Sequence, residues 1–336
     1  VEEKHILLAH GSGGQLTREL IEKVIVEPFR NPILSLLQDS AIFSREGLKF
    51  AFTTDSFVVK PIFFPGGDIG RLAICGTVND LAMSGAVPLY LSSSLILEEG
   101  FPLGDLEKIL DSMRQAAEEA EITVITGDTK VVEKESADGI FINTAGIGLI
   151  KNDVEISPFQ IRVGDKIIVS GYIGDHGMAV LSEREGLSFR TGLKSDCAPL
   201  NKLVAKMLQV SKKIHCLRDP TRGGLAAVLN ELSRQSGPGM IIEEEKVPLR
   251  EEVKAASEIL GIDPFQVANE GILVAIVDSQ EAEKIVAAIR ETPWGKAAEI
   301  IGEVIPYPEG MVLLKTGVGG TRILDMPAGE ILPRIC

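Results

Sequence analysis

The chain has 336 residues, 45% hydrophobic and 24% charged, which is enough apolar material for a large core and, on length, for about two domains. Disordered and fibrous classes are excluded. Its 34 Lys and Arg stand against 48 Asp and Glu, a formal charge of −14, so a general nucleic-acid surface or a polybasic membrane anchor would work against the protein's own field. The opening VEEKHILLA has neither a basic start nor a long apolar run, and no segment approaches the roughly 18 apolar residues that span a bilayer. The expected location is cytoplasmic, with neither membrane nor nucleic acid as partner. Cys75, Cys197, Cys216 and Cys336 form no CxxC pair, which argues against a disulfide framework or a zinc ribbon.

In chain order, AHGSGGQLTREL places His10, Gly11, Ser12, Gly13 and Gly14 before a helix. Free backbone N–H groups in such a loop can close over phosphate oxygens, although glycine also simply permits a flexible surface loop. No GxxxxGK[ST] or GxGxxG occurs, so the common nucleotide-loop signatures are absent. Residues 47–56 alternate Leu48, Phe50 and Phe52 on one side, predicting a half-buried strand that ends on Asp55. A helix follows over 70–84, with small residues suited to close packing and with Asn79 and Asp80 on its polar side. Apolar spacing predicts another helix over 103–117, followed by a β-branched strand ending at Asp128.

Residues 139–150 read as a buried strand and 151–165 as a polar, turn-rich connection. We therefore expect a first domain over 1–152 and a second over 153–306. The second half repeats strand and helix, in DKIIVSG with a helix over 175–185, and in GILVAIVD with EAEKIVAAIRE. Between them, RDPTRGGLAAVLNELSRQSG predicts a helix opened by Asp219 and Pro220 and closed by Gly237. Residues 307–336 are rich in Gly and Pro and are expected to form an arm, with KTGVGGTR as a hinge.

Asp39, Asp55, Asp80 and Asp128 sit at the ends of predicted apolar segments, where they could converge on one sheet edge. Without basic partners such acids repel unless a cation bridges them, and hard oxygen ligands suit Mg²⁺ holding a nucleotide's phosphates. Each taken singly also fits a cap or turn. Lys130, two residues beyond Asp128, could neutralise phosphate charge or serve as an acid, or could be an ordinary solvated lysine. Glu270 precedes an apolar strand, where a partly buried carboxylate could have its basicity raised enough to take a proton, or could be an ordinary strand-end glutamate. The histidines His5, His10, His176 and His215 show no zinc spacing. Cys336, last in the sequence, could be a redox-sensitive thiol or a nucleophile on a movable arm, with Arg334 offering compensating charge.

Taken together, AHGSGG, TTDSFVVKPIFFPGGDIGRLAICGTVNDLAMSGA, ITGDTKVV, SGYIGDHG, RDPTRGGLA, ANEG and the final PRIC resemble the HypE family of hydrogenase maturation proteins over essentially the whole chain. The internal motifs are similar to the wider superfamily of aminoimidazole ribonucleotide synthetase, selenide water dikinase and thiamine-phosphate kinase, and PRIC separates the HypE family from these. The loop before the first helix lacks the reactive Cys or Sec expected near it in many selenide water dikinases, which argues against selenide activation.

The resemblance implies a two-domain α/β (α+β) fold of the AIR synthetase type, a homodimer whose N-terminal domains pair into a β-barrel, and ATP near the interface. It further implies that a carbamoyl group, placed on Cys336 by the carbamoyltransferase HypF, is dehydrated with ATP to a thiocyanate. That product supplies cyanide, through a HypC–HypD complex, to the iron of a [NiFe] hydrogenase. The roles it implies are ATP and Mg²⁺ binding by Asp55, Asp80 and Asp128, with Asp39 as a further metal ligand, and phosphate closure by His10 to Gly14. Proton handling falls to Glu270 with Lys130. The competing expectations are a kinase or synthetase of the same superfamily acting on a free small molecule, and a nucleotide-gated scaffold without turnover.

Overall fold

The computed structural model describes residues 5–186, 192–327, 332 and 334–336. A short helix α1 (Gln15–Leu20) precedes the hairpin β1 (Ala41–Arg45) and β2 (Leu48–Phe57), and a small ribbon, β3 (Phe63–Phe64) and β4 (Gly67–Asp68), leads into α2 (Ile69–Met83). Then come β5 (Ala86–Glu98), α3 (Leu103–Ala120), β6 (Thr123–Val132) and β7 (Ile140–Ile150). The sheet order is β1-β2-β7-β5-β6, with only β5 and β6 parallel.

Helix α2 starts where the Asp68 side chain accepts from the N–H groups of Gly70 (2.7 Å) and Arg71 (3.0 Å), an N-cap that satisfies orphan donors. Its glycines set how close it packs. A Cβ on Gly70 would lie 2.5 Å from the Ile109 carbonyl on α3, and one on Gly76 would lie 2.9 Å from the Phe57 ring on β2. The small residues of this helix thus serve the close packing expected of them.

The second half supplies β8 (Lys166–Val169), α4 (Asp175–Arg184), α5 (Asn201–Val210), β9 (Ile214–Arg218), α6 (Gly224–Ser236), β10 (Gly239–Glu243), α7 (Glu251–Leu260), β11 (Val274–Val277), α8 (Ala282–Arg290), β12 (Glu299–Ile305), β13 (Val312–Lys315) and β14 (Thr321–Ile323). The strands order as β14-β13-β10-β12-β8-β11-β9. Alternation along β8 sends Ile168 into one core and Ile167 and Val169 into another. The first of these cores continues into the N-terminal half, where Leu81, Ala82 and Met83 of α2 pack with Leu200, Leu203 and Met207.

Four expectations need correcting. Leu48, Phe50 and Phe52 do share a face of β2, but it is the outer one, with Phe52 45% exposed, while Ala51, Thr53 and Phe57 are buried on the other. Asp55 and Asp128 do not end their strands, because β-branched residues carry β2 on to Phe57 and β6 on to Val132. Helix α6 begins at Gly224 rather than at Pro220, since Gly223 and Gly224 both hold left-handed φ (+78° and +62°) and turn the chain first. The thirty-residue arm is shorter than expected, because Val312–Lys315 pairs with β10 and Thr321–Ile323 pairs with β13, extending the second sheet.

Candidate active site

A cavity of about 450 Å³ opens where the two halves meet. Strand β2 contributes Thr53 and Asp55, α2 contributes Gly76 and Asp80, β9 contributes its last residue Arg218, the loop after it contributes Asp219 and Arg222, and Glu270 and Cys336 also line it. Asp55 reaches it because it alternates with Thr53 and Phe57 on the inner face of β2.

Asp39, Asp80 and Asp219 each offer an oxygen, and these oxygens lie within 4.8 Å of one another. Thr53 donates its hydroxyl to Asp80 Oδ2 at 2.7 Å, and Arg218 Nη1 donates to Asp39 Oδ1 at 2.6 Å. Asp39 therefore does have a basic partner, contrary to expectation, and the same guanidinium also opposes the rise at Asp219. Removal from water raises Asp80 well above the usual carboxylate range, and repulsion from Asp219, Asp39 and Asp55 adds to it. Asp219 is pushed up to about 7, first by removal from water and then by Asp39. Three convergent hard oxygens whose mutual repulsion is only partly offset fit Mg²⁺, which takes oxygen ligands at about 2.1 Å.

Deeper in, Glu270 is 3% exposed and its Oε1 has no hydrogen-bond partner. Burial raises it well above its ordinary value, Asp219 and Asp196 add to this, and Arg222 opposes it. Its backbone N–H donates to Asp196 Oδ1 at 3.0 Å, and Asn79 Nδ2 donates to its carbonyl at 3.3 Å. The Cys336 thiol is pushed up to about 12 by burial, against the pull of the Arg222 guanidinium. Arg222 in turn is held more firmly protonated by Cys336 and, more weakly, by Asp55 and Glu270. A sulfur atom, a buried carboxyl of raised basicity, a guanidinium and a trio of oxygen ligands thus share one cavity.

The remaining expected residues lie elsewhere. Asp128 and Lys130 pair with each other at 2.6 and 2.8 Å on exposed β6. The register Asp128–Ser94–Asn143–Ser56 places Asp128 on the outer face of the sheet, whereas Asp55 aligns with buried Thr144 on the inner one. Period-2 alternation thus separates Asp128 and Lys130 from the cavity. Of the loop expected to close over phosphate, Gly13 and Gly14 line the cavity, but the Gly13 N–H is already donated to Thr17 Oγ1 at 3.0 Å. His10, Gly11 and Ser12 form a turn outside it, in which His10 Nδ1 accepts from the Leu7 N–H at 3.0 Å.

Asp219, Arg218 and Arg222 escaped the sequence reading, which took RDPTR for the opening of a helix. The signal was present as two arginines flanking an acid directly after an apolar strand in a chain of net charge −14.

The family described as AIR synthase related protein, N-terminal domain, matches residues 37–150, and its C-terminal domain matches 162–315. The carbamoyl dehydratase HypE of Rhizobium leguminosarum bv. viciae is 51% identical over 337 residues, spanning 100% of this chain and 96% of that protein. The crystal structure of a HypE–HypF complex superposes with a TM-score of 0.88 at 50% identity, covering 92% of this chain and 99% of that one. HypE in complex with ATP superposes at 0.84 with 47% identity, covering 99% and 100%.

Proposed function

Since the chain belongs to the AIR synthase related family, and within it to the HypE carbamoyl dehydratases of hydrogenase maturation, we infer that it dehydrates an S-carbamoyl group on its own Cys336 to a thiocyanate with ATP. The product supplies the cyanide ligand of a [NiFe] hydrogenase iron. The observation that carries this reading is the Cys336 thiol inside the cavity, beside Arg222 and Glu270. A free small-molecule substrate would need the space that Cys336 fills, which disfavours a kinase of the same family.

The chemistry follows from the leaving group. An amide oxygen leaves poorly, so the γ-phosphoryl group of ATP is first transferred to it, and loss of two N–H protons then expels phosphate and leaves S–C≡N. Phosphoryl transfer needs positioning and charge stabilisation more than covalent help. Asp39, Asp80 and Asp219, with Asp55 beside them, would hold Mg²⁺, which when bound would neutralise charge on the nucleotide phosphates. Arg222 stabilises the negative charge that builds beside the sulfur. Glu270, whose free Oε1 and raised basicity fit a proton acceptor, takes protons from the substrate nitrogen.

We further propose a homodimer built on the outer face of the first sheet, where Phe52, Tyr90 and Ile96 are each more than 40% exposed. Asp128 and Lys130 share that face, so their part in the reaction is played across the subunit contact. The carbamoyl donor is a HypF-type carbamoyltransferase and the acceptor of cyanide is a HypC–HypD complex. We place the reaction in the cytoplasm, whose reducing conditions keep Cys336 a thiol. No helix among the described residues is long and apolar enough to cross a membrane.

The test is isotopic. With ¹³C-carbamoyl phosphate, HypF and Mg²⁺–ATP, the label should reach a nitrile carbon on the wild-type chain and not on Cys336→Ala. Label that stays at the amide stage despite ATP consumption would refute the dehydration.

A further inference from the structure

The segment that carries Cys336 is held at its main chain and by the Arg334 side chain, whose Nε donates to the Val58 carbonyl at 2.9 Å and whose Nη1 pairs with Asp138. The Val58 N–H donates to the Cys336 main-chain oxygen at 3.1 Å and the Lys60 N–H to the Arg334 carbonyl at 3.1 Å, a strand-like pairing in the antiparallel sense. From α4, His176 Nε2 lies 2.8 Å from the Ile335 carbonyl, and Arg184 Nη2 donates to the Arg334 carbonyl at 2.8 Å and to the Lys60 carbonyl at 2.6 Å. A carbonyl only accepts, so Nε2 carries the ring proton and Nδ1 accepts from the Ser195 hydroxyl, 2.8 Å away. Ser195 Oγ is fixed in turn by the Cys197 N–H at 3.0 Å. His176 is fully buried with its edge against Phe64, the ring centroids 5.4 Å apart. Positions 176, 180 and 184 fall on one face of α4, and Val180 between the two donors packs with Ile335 and Cys336.

We propose that this face of α4 is the dock that keeps Cys336 in its reacting position, with His176 and Arg184 as positioning residues; the proposal rests on the dehydration reading above. Every polar contact it makes with residues 334–336 is to a main-chain carbonyl, so the dock does not read the sulfur. Thiol, thiocarbamate and thiocyanate are gripped alike, and the group can be transformed without the segment changing its seat. Release to a partner then requires breaking backbone contacts, which a partner achieves by offering its own hydrogen bonds to residues 334–336.

The experiment uses the full chain with four variants. His176→Phe keeps the ring volume and deletes both hydrogen bonds. His176→Gln restores a donor of similar reach, and Ser195→Ala removes the group that fixes the tautomer. Arg184→Met, at a half-buried position, keeps the aliphatic stem. Alkylation of Cys336 by iodoacetamide, followed by peptide mass, reads undocking, with Cys75, Cys197 and Cys216 as internal controls. Single-turnover decay of the carbamoylated chain reads the chemical step.

Loss of one such hydrogen bond corresponds to roughly a tenfold shift. His176→Phe and Arg184→Met should each speed Cys336 alkylation and slow dehydration by about that factor, with the KM for ATP unchanged and with partial recovery in His176→Gln. Ser195→Ala should move both readouts in the same direction by less. If all four cysteines of His176→Phe react faster together, that variant has loosened globally and Arg184→Met decides. Unchanged Cys336 reactivity and unchanged dehydration in Arg184→Met would overturn the dock. Faster alkylation in a chain whose wild type never dehydrates would keep the dock and sink the reaction.

Discussion

At the scale of single residues, the site is governed by carboxyl groups kept from water. Glu270 combines burial, an unpartnered Oε1 and raised basicity, so Glu270→Gln should carry a carbamoyl group normally yet dehydrate it about 10²–10⁴-fold more slowly, the usual worth of a general base. Single-turnover kinetics on the pre-carbamoylated chain would check this, and an unimpaired rate would remove Glu270 from the proton pathway. Asp219 and Asp196 are each pushed up to about 7, mainly by removal from water. A carboxyl whose pKa is raised on folding binds its proton more tightly in the native state. Its stabilising contribution is therefore complete below the ordinary value near 4 and is lost as the pH rises through about 7. Without metal, the melting temperature should fall between about pH 5 and about pH 8, less so in Asp219→Asn, while Mg²⁺–ATP should stabilise more at the upper end. Calorimetry in which Asp219→Asn traces the wild-type profile would contradict this.

At the scale of elements, the cavity depends on a close approach made at glycine. Gly13 has φ +80°, and a Cβ there would stand 2.6 Å from the Arg222 Cβ. Gly13→Ala should thus cost about 1–3 kcal/mol and displace Arg222, lowering the melting temperature and slowing dehydration together. A variant with wild-type stability and rate would show that this contact does not matter. Much of this was legible in advance. The small residues of α2, the period of α3 and the strand leading to Asp55 are local patterns, and local patterns are what a sequence displays. The loop containing Arg218, Asp219 and Arg222 was misread because a Pro after an acid resembles a helix start, whereas two left-handed glycines turn the chain first. Asp128 was misplaced for a different reason. Its residue type and motif suit metal binding, but which face of a sheet a side chain takes is set by register with β5 and β7, which involves residues far apart in the chain.

At the scale of the whole molecule, α2 and α3 cover the first sheet on one side, and among the described residues its other side exposes Phe52, Tyr90 and Ile96. In the homodimer proposed above two such faces pair, which would place Asp128 and Lys130 at a subunit contact. Phe52→Glu, which puts a charge in the middle of the face, should convert a dimer to a monomer in sedimentation while leaving the melting curve two-state. A variant that still sediments as a dimer would place the contact elsewhere. The second half and the residue-334-to-336 segment line the cavity from the other side and place Cys336 inside it, where it would meet ATP on the reading proposed above. The measurement that bears most directly on this is the mass of the peptide ending in Cys336 after incubation with HypF, carbamoyl phosphate, Mg²⁺ and ATP. We expect a carbamoyl adduct that then loses the mass of one water only when ATP is present, and a Cys336 that stays unmodified while ATP is consumed would contradict the account.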